Sequence, residues 1–244
     1  MLNRYARAFF SKSFTPLARL LLKLGVGPDA VTLVGTAGVV ASALVFYPRG
    51  SFLVGTLAIT AFIFSDLVDG TMARLSGRVS KWGAYLDSSM DRVGDAAIFG
   101  ALAYYFAEKH NQPMFILSMV CLTTGAIVSY VKARAEGLGY NCNVGVIERG
   151  DRLVGSLVAT GLCGLGVPYV QAVALWAIAI GSTVTVVQRM LFVRKQALRE
   201  PAGLNAPGGP SGSAGPAGPD EPTDLLGSAE LSELSETNGL REST

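Results

Sequence analysis

An uninterrupted apolar run near the C-terminal end limits the possible folds most. Residues 153–187 are 35 successive positions without a charged side chain. A helix needs about 20 apolar residues to cross the hydrocarbon core of a bilayer, so this run is too long for one crossing. The "GVP" sequence at Gly166–Pro168 divides it into two predicted spans, at about 153–165 and about 169–191. The chain is therefore predicted to be an all-α membrane protein.

Four further apolar segments precede that run. They are Val31–Tyr47, Phe52–Ser65 with a helical continuation toward Leu75, a segment that starts near Trp82 and is fully apolar from Ala96 to Phe106, and Met114–Val131. Half of the 244 residues are hydrophobic and only 16% are charged, which is typical of a polytopic membrane protein. We expect six transmembrane helices.

Three regions follow from the changes in composition. Residues 1–28 contain "SFTPLARLLLKLG", which predicts an N-terminal amphipathic helix lying in the membrane interface. Residues 29–200 form the predicted six-helix domain. Residues 201–244 are rich in Gly, Pro and Ser and carry seven acidic side chains against one basic one. That composition predicts a disordered tail.

The distribution of Lys and Arg predicts the orientation. Basic residues precede span one, follow span six, and lie between spans two and three and between spans four and five. The connections on the opposite side, between spans one and two, three and four, and five and six, contain only two basic residues, Arg49 and Lys109. Because cytoplasmic loops carry the excess of Lys and Arg, both termini are predicted to be cytoplasmic. The protein itself is predicted to lie in the cell membrane. Residues 1–200 hold 19 basic and 11 acidic side chains, a surplus that suits membrane lipids or phosphorylated substrates. No nucleic-acid partner is expected.

Four aspartates stand where an apolar span ends. In the stretch "DLVDGTMARLSGRVSKWGAYLDSSMD", Asp66 and Asp69 are three residues apart, and Asp87 and Asp91 are four apart. Each pair projects from one helix face, and two antiparallel neighbours would bring all four carboxylates together near the cytoplasmic surface. Two Mg²⁺ or Mn²⁺ ions would neutralise them, since these ions prefer carboxylate oxygens. The alternative is that the four carboxylates simply face water.

Other metal chemistry is excluded by the residue types. The chain has one histidine, His110, and three widely spaced cysteines. Zinc and copper sites use clustered imidazole and thiolate ligands, so neither metal is expected.

The aspartates belong to a longer pattern, Asp66-x2-Asp69-Gly70-x2-Ala73-Arg74-x8-Gly83-x3-Asp87-x3-Asp91. It resembles, at all eight positions, the signature of the CDP-alcohol phosphotransferases, membrane enzymes that make phospholipids. The resemblance extends over about residues 1–197. It implies a six-helix fold, usually a homodimer, with a polar cavity that opens to the cytoplasm.

The resemblance also implies roles for individual residues. Asp66, Asp69 and Asp87 would ligate metal, and Asp91 would contact the second ion and act as the general base. The CDP-diacylglycerol would be bound by Asp29, Ala30, Val31, Thr32, Gly70, Arg74 and Ser80.

Basic residues at three helix ends bear on the acceptor alcohol. Lys132 and Arg134 end span four, Arg152 begins span five, and Arg189 lies near the end of span six. Together they could bind a phosphate monoester. Topology and snorkelling of the side chains are the alternative explanation, although they explain Arg189 least well.

Within the family, "SYVKARAE" and the "ER-x2-R" pattern resemble the actinobacterial phosphatidylinositol phosphate synthases. This resemblance implies that the acceptor is inositol 1-phosphate, with Lys132, Arg152 and Arg189 on its phosphate and Arg134 nearby. A phosphatidylglycerophosphate synthase, which uses glycerol 3-phosphate, is the runner-up because its acceptor is also anionic. A cation or anion transporter is a remote alternative, since the sequence shows no internal repeat.

Overall fold

A computed structural model of the chain describes residues 15–77 and 80–199, without the side chains of Asp66 and Leu67. The predicted tail, 201–244, and most of the N-terminal region lie outside the described residues. The part described is helical and contains no strand, which confirms the all-α prediction. Its helices are α1 over residues 15–23, α2 Pro28–Phe46, α3 Phe52–Ile63, α4 Ser65–Leu75, α5 Lys81–Glu108, α6 Gln112–Gly137, α7 Arg149–Gly164 and α8 Val170–Ala197.

Four stretches are long and apolar enough to cross a membrane: α2, the pair α3 and α4, α6 and α8. The chain is therefore a multi-pass membrane protein. The other two predicted spans correspond to α7 and α5. Helix α7 has 16 residues, fewer than the roughly 20 that a perpendicular crossing needs. Helix α5 has 28 residues, but its first half carries Asp87, Asp91, Arg92 and Asp95.

The long helices form a closed ring. Helix α2 contacts α5, α5 contacts α6, α6 contacts α8, α8 contacts α7, α7 contacts α3, and α3 contacts α2. A single buried cluster lies inside this ring and includes Ile59, Leu102, Cys121, Leu157 and Leu175. Outside it, Ala18 of α1 packs against Val68 and Met72 of α4.

The second span divides into α3 and α4 at the single residue Phe64. This residue keeps right-handed helical backbone angles and its amide still donates to the Thr60 carbonyl, so the helical continuation predicted toward Leu75 is retained with a local distortion. Phe64 ends α3 and precedes the first residue of α4. Helix α2 lies very close to this distorted turn: a Cβ on Gly35 would stand 1.9 Å from the Ser65 hydroxyl oxygen, and one on Gly38 would stand 2.2 Å from the Phe62 ring. Gly38 therefore allows α2 to approach α3, and Gly35 allows it to approach α4, where Thr32 reaches Asp69.

Candidate active site

The structure brings together the aspartates whose side chains it describes. Asp69 of α4 is buried, and the Thr32 hydroxyl of α2 donates a 2.5 Å hydrogen bond to its Oδ2 atom. Asp87 and Asp91 of α5 both act on Asp69 by electrostatic repulsion. Asp66 lies one turn before Asp69 on α4. Carboxylates from α4 and α5 thus converge as the spacing predicts.

A cavity of about 400 Å³ opens beside these carboxylates, between the start of α2, helix α4 and the start of α5. It is lined by Pro28, Asp29, Thr32, Asp69, Gly70, Ala73, Arg74, Ser80, Gly83, Ala84 and Asp87. Five of the seven residues predicted to bind the CDP-lipid are in this lining. The other two are Ala30, which is exposed, and Val31, which packs toward α1 and α4. Four successive helical residues cannot all face one side, because each turns by about 100°.

Short polar contacts fix the walls of the cavity. Ser80 caps α5, and its hydroxyl oxygen accepts a 3.0 Å hydrogen bond from the Gly83 amide. The Trp82 indole donates a 3.1 Å bond to Asp29, which ties the start of α5 to the start of α2. Both helices begin at the cavity, and the positive ends of their dipoles suit phosphate groups there.

The donor atoms at the site fit Mg²⁺ or Mn²⁺. The ligands present are carboxylate oxygens, which hard divalent cations prefer. Repulsion between Asp69 and the two α5 carboxylates would be relieved by a bound cation. Among the described side chains, no three His, Cys, Asp or Glu residues form a complete ion site by themselves. The side chain of Asp66 is outside that set.

Two of the predicted acceptor-binding cations are deeply buried. Arg152 is 2% exposed, its Nη2 lies 3.5 Å from the Gly125 carbonyl, and its Nη1 has no hydrogen-bond partner among the described residues. Arg189 is 4% exposed and donates to the carbonyls of Val144 at 2.8 Å and Val128 at 2.7 Å. The two guanidinium groups repel each other, so they lie within electrostatic range.

The other two predicted cations lie differently. Lys132 is 3.8 Å from Glu136 of the same helix, and its side chain is 37% exposed. Arg134 is exposed near the end of α6. The structure therefore groups Arg152 with Arg189 and leaves Lys132 and Arg134 nearer the surface.

One residue of the "ER-x2-R" pattern, which the sequence places only among the basic residues at the entry to span five, contacts the aspartates in the structure. Arg149, the first residue of α7, lies 2.9 Å from Asp91 and 3.4 Å from Asp95. The sequence offers a signal for its position, since "ERGD" is Glu148 to Asp151 and has acids at both positions of a capping box.

Membrane-crossing helices that bring carboxylates together beside a cavity of about 400 Å³ fit a membrane-bound transferase that uses divalent metal ions and a phosphorylated substrate. Residues 26–187 match the family described as CDP-alcohol phosphatidyltransferase, and the chain belongs to that family. The family predicted from the aspartate pattern is confirmed.

Particular relatives narrow the comparison. A phosphatidylinositol phosphate synthase from Streptomyces avermitilis is 53% identical over 214 residues, covering 84% of this chain and 88% of that protein. One from Corynebacterium glutamicum is 40% identical, covering 84% and 97%. The Mycobacterium tuberculosis enzyme has been crystallised with CDP-DAG, and separately with manganese and citrate. Each of the two structures gives a TM-score of 0.72 at 38% identity; they cover 74% of this chain and 92% and 88% of theirs.

Proposed function

We propose that the chain transfers the phosphatidyl group of CDP-diacylglycerol to inositol 1-phosphate, giving phosphatidylinositol phosphate and CMP. The observation that carries this proposal is the buried Arg152, whose Nη1 has no hydrogen-bond partner among the described residues. A buried guanidinium with one unpaired nitrogen is costly, and an anionic acceptor that binds this nitrogen would relieve that cost. A neutral acceptor would not.

The cavity beside Asp69 and Asp87 is proposed to hold the CDP part of the donor. Asp29, Thr32, Gly70, Arg74 and Ser80 line it, and Arg74 is close enough to Gly70 to donate a 2.9 Å bond to its carbonyl. From that position the guanidinium can also reach phosphate oxygens at the cavity wall. Ala30 and Val31 would support this segment from the other sides of α2.

Two divalent ions would be held by the aspartates of the family pattern: Asp66, Asp69, Asp87 and Asp91. When bound, they neutralise the pyrophosphate and the charge on the leaving oxygen. The protein's own contribution is to hold these carboxylates, with Thr32 as a hydrogen-bond donor to Asp69.

The reaction needs a base for the acceptor hydroxyl, and Asp91 is the proposed one. The hydroxyl oxygen attacks the phosphorus that bears the diacylglycerol, and its proton passes to the Asp91 carboxylate. A new phosphorus–oxygen bond forms as the bond to the bridging pyrophosphate oxygen breaks, and CMP leaves. Arg152 and Arg189, with Lys132 and Arg134 toward the surface, would hold the acceptor phosphate.

We expect Arg152→Gln to raise the KM for inositol 1-phosphate. A hydrogen bond to a charged group contributes about 1.5–3 kcal/mol, which corresponds to about 10–100-fold in affinity. Steady-state CMP release at saturating CDP-diacylglycerol measures the effect. Arg49→Gln, at an exposed position in the α2–α3 connection, is the matched control. An unchanged KM in Arg152→Gln would remove Arg152 from the acceptor site.

The membrane topology is part of the same proposal. Helices α5 and α7 complete six spans, because each is an integral member of the closed ring. Helix α1 would lie in the interface, where Leu17 and Leu20 are exposed. Both termini and the cavity would face the cytoplasm, and the enzyme would act as a homodimer in the cell membrane. Residues 29–200 would be the catalytic domain and 201–244 a disordered tail.

The decisive experiment is CMP release by the purified full chain with CDP-diacylglycerol and Mg²⁺ or Mn²⁺. Inositol 1-phosphate, glycerol 3-phosphate and inositol are compared as acceptors. Turnover that requires inositol 1-phosphate supports the proposal. A preference for glycerol 3-phosphate would retain the aspartate chemistry and change the acceptor. No CMP with any of the three, from folded protein, would refute the proposal.

A further inference from the structure

Arg149 connects the proposed base to the next acidic residue of the same helix. Its Nη1 lies 2.9 Å from Asp91 Oδ1, and its Nε lies 3.4 Å from Asp95 Oδ1. The contact with Asp95 is an ion pair without hydrogen-bond geometry, because neither of its two atoms has a hydrogen-bond partner among the described residues. Asp91 and Asp95 are four residues apart and so share one face of α5. The Arg149, Asp91 and Asp95 side chains are only 28%, 17% and 14% exposed. This ion pair is therefore screened less than one on an open surface.

The backbone that carries Arg149 is fixed from two directions. In the capping box of α7, the Glu148 side chain accepts a bond from the Asp151 amide, and Asp151 accepts a 3.0 Å bond from the Glu148 amide. Just before it, the amides of Val146 and Ile147 donate to the Thr185 hydroxyl oxygen of α8 at 3.2 and 3.1 Å. Arg149 is thus presented to α5 by a helix start that is itself held against α8.

On its inner side, which faces α2, α3 and α7, this contact leaves no room for a substrate. The cavity lined by Asp91, Asp95 and Arg149 has a volume of about 20 Å³, enough for about one water molecule. Arg152 and Arg189 instead contact carbonyl oxygens of α6 and of the α6–α7 loop. Arg149 therefore differs from the buried Arg152 and Arg189 by its close ion-pair contacts with carboxylates; Arg152 acts on Asp95 only at longer range, and Arg92 lies 3.7 Å from Asp91.

We propose that Arg149 is a positioning residue for Asp91, and that Asp95 holds the Arg149 guanidinium in place. This inference rests on the proposed function of Asp91 as the base. A carboxylate can rotate about its side-chain bonds, and a planar guanidinium held at two points removes that freedom. A base that is misplaced by about 1 Å can cost about 10²-fold in rate. The role of Arg149 would thus be in kcat and not in substrate binding.

The test compares Arg149→Ala and Arg149→Lys with the wild-type full chain, using CMP release with CDP-diacylglycerol and inositol 1-phosphate. We expect kcat to fall about 10²-fold in Arg149→Ala, with little change in either KM. Guanidinium ions, added well below denaturing concentrations, should restore part of this kcat. Methylammonium should restore less, because it lacks the planar fork. The CDP-diacylglycerol Kd, measured by calorimetry without acceptor, should stay near the wild-type value.

Arg149→Lys keeps the charge and guards against misfolding of the alanine variant. A lysine cannot contact Asp91 and Asp95 in the same fork geometry, so its kcat should also fall. Arg49→Ala, tested with the same guanidinium series, controls for general salt effects; Arg49 is exposed and bonds only to the Val45 carbonyl in the described structure.

Three results would overturn the inference. They are wild-type kcat in Arg149→Lys, a raised KM for inositol 1-phosphate at unchanged kcat, and equal effects of guanidinium and methylammonium. Failure of the proposed function is a separate result, because the wild-type chain itself would then release no CMP with inositol 1-phosphate.

Discussion

Asp91→Asn is expected to remove most of the turnover while the protein still binds CDP-diacylglycerol. The amide has the size of the carboxylate but cannot accept the proton of the acceptor hydroxyl. General-base catalysis contributes about 10²–10⁴-fold, so kcat should fall by about that factor. Asp91 is not in the lining of the cavity proposed for the CDP group, and for that reason donor affinity should be retained. CMP release gives kcat, and calorimetry with CDP-diacylglycerol gives the Kd.

Two controls separate this effect from loss of fold or charge. Glu108→Gln makes the same chemical change at the exposed end of the same helix, and it should leave kcat unchanged. Thermal unfolding of Asp91→Asn reports whether the loss of the Arg149 contact destabilises α5. Turnover near the wild-type rate in Asp91→Asn would show that another group takes the proton.

The convergence of the carboxylates could be predicted because it depends on local rules. Spacings of three and four residues place Asp66 with Asp69, and Asp87 with Asp91, on single helix faces. The short connection between the two helices then makes them antiparallel neighbours. Five of the seven residues predicted to bind the CDP-lipid line one cavity. Three of these five lie on α4 or at the start of α5, so the same antiparallel pairing that brings the carboxylates together also brings them to the cavity.

The helical continuation from Phe52 to Leu75 agrees with the sequence prediction, but the local distortion at Phe64 could not be predicted, because it depends on packing between helices. In "ITAFIFSDLVDG", residues 59–70, neither proline nor glycine occurs at or before Phe64. The structural feature that accompanies it is the close approach of α2 at Gly35 and Gly38, which are distant in sequence. The same approach puts Thr32 beside Asp69, 37 residues away along the chain.

The position of Arg149 is another result of tertiary structure. Its charge suggests phosphate binding or, as the alternative, cytoplasmic topology, and the sequence points to no contact with the aspartates. Only the packing of the α7 start against α5 turns its guanidinium toward Asp91 and Asp95. By contrast, the sequence does indicate that Arg189 is buried, because it lies in an otherwise apolar run. Single charges in apolar segments are therefore the more informative sequence signal.

Asp69→Asn is expected to produce the largest loss of metal affinity, and Thr32→Val a graded version of it. Asp69→Asn would remove an ionised ligand from the metal site, whereas Thr32→Val would remove only the hydroxyl that donates to Asp69 Oδ2. Loss of such an outer hydrogen bond typically weakens metal binding or activity by about 10–100-fold, and the Asp69 variant should exceed this.

Mn²⁺ binding to the purified full chain, measured by electron paramagnetic resonance without substrate, gives the affinities independently of turnover. Thr123→Val is the matched control, because the Thr123 hydroxyl bonds only to the Met119 carbonyl in the described structure. The expected order of Mn²⁺ affinity is wild type and Thr123→Val, then Thr32→Val, then Asp69→Asn. An unchanged affinity in Asp69→Asn would exclude Asp69 as a ligand. If Mn²⁺ affinity falls in Asp69→Asn but not in Thr32→Val, Asp69 is a ligand and the Thr32 hydroxyl has no part in orienting it.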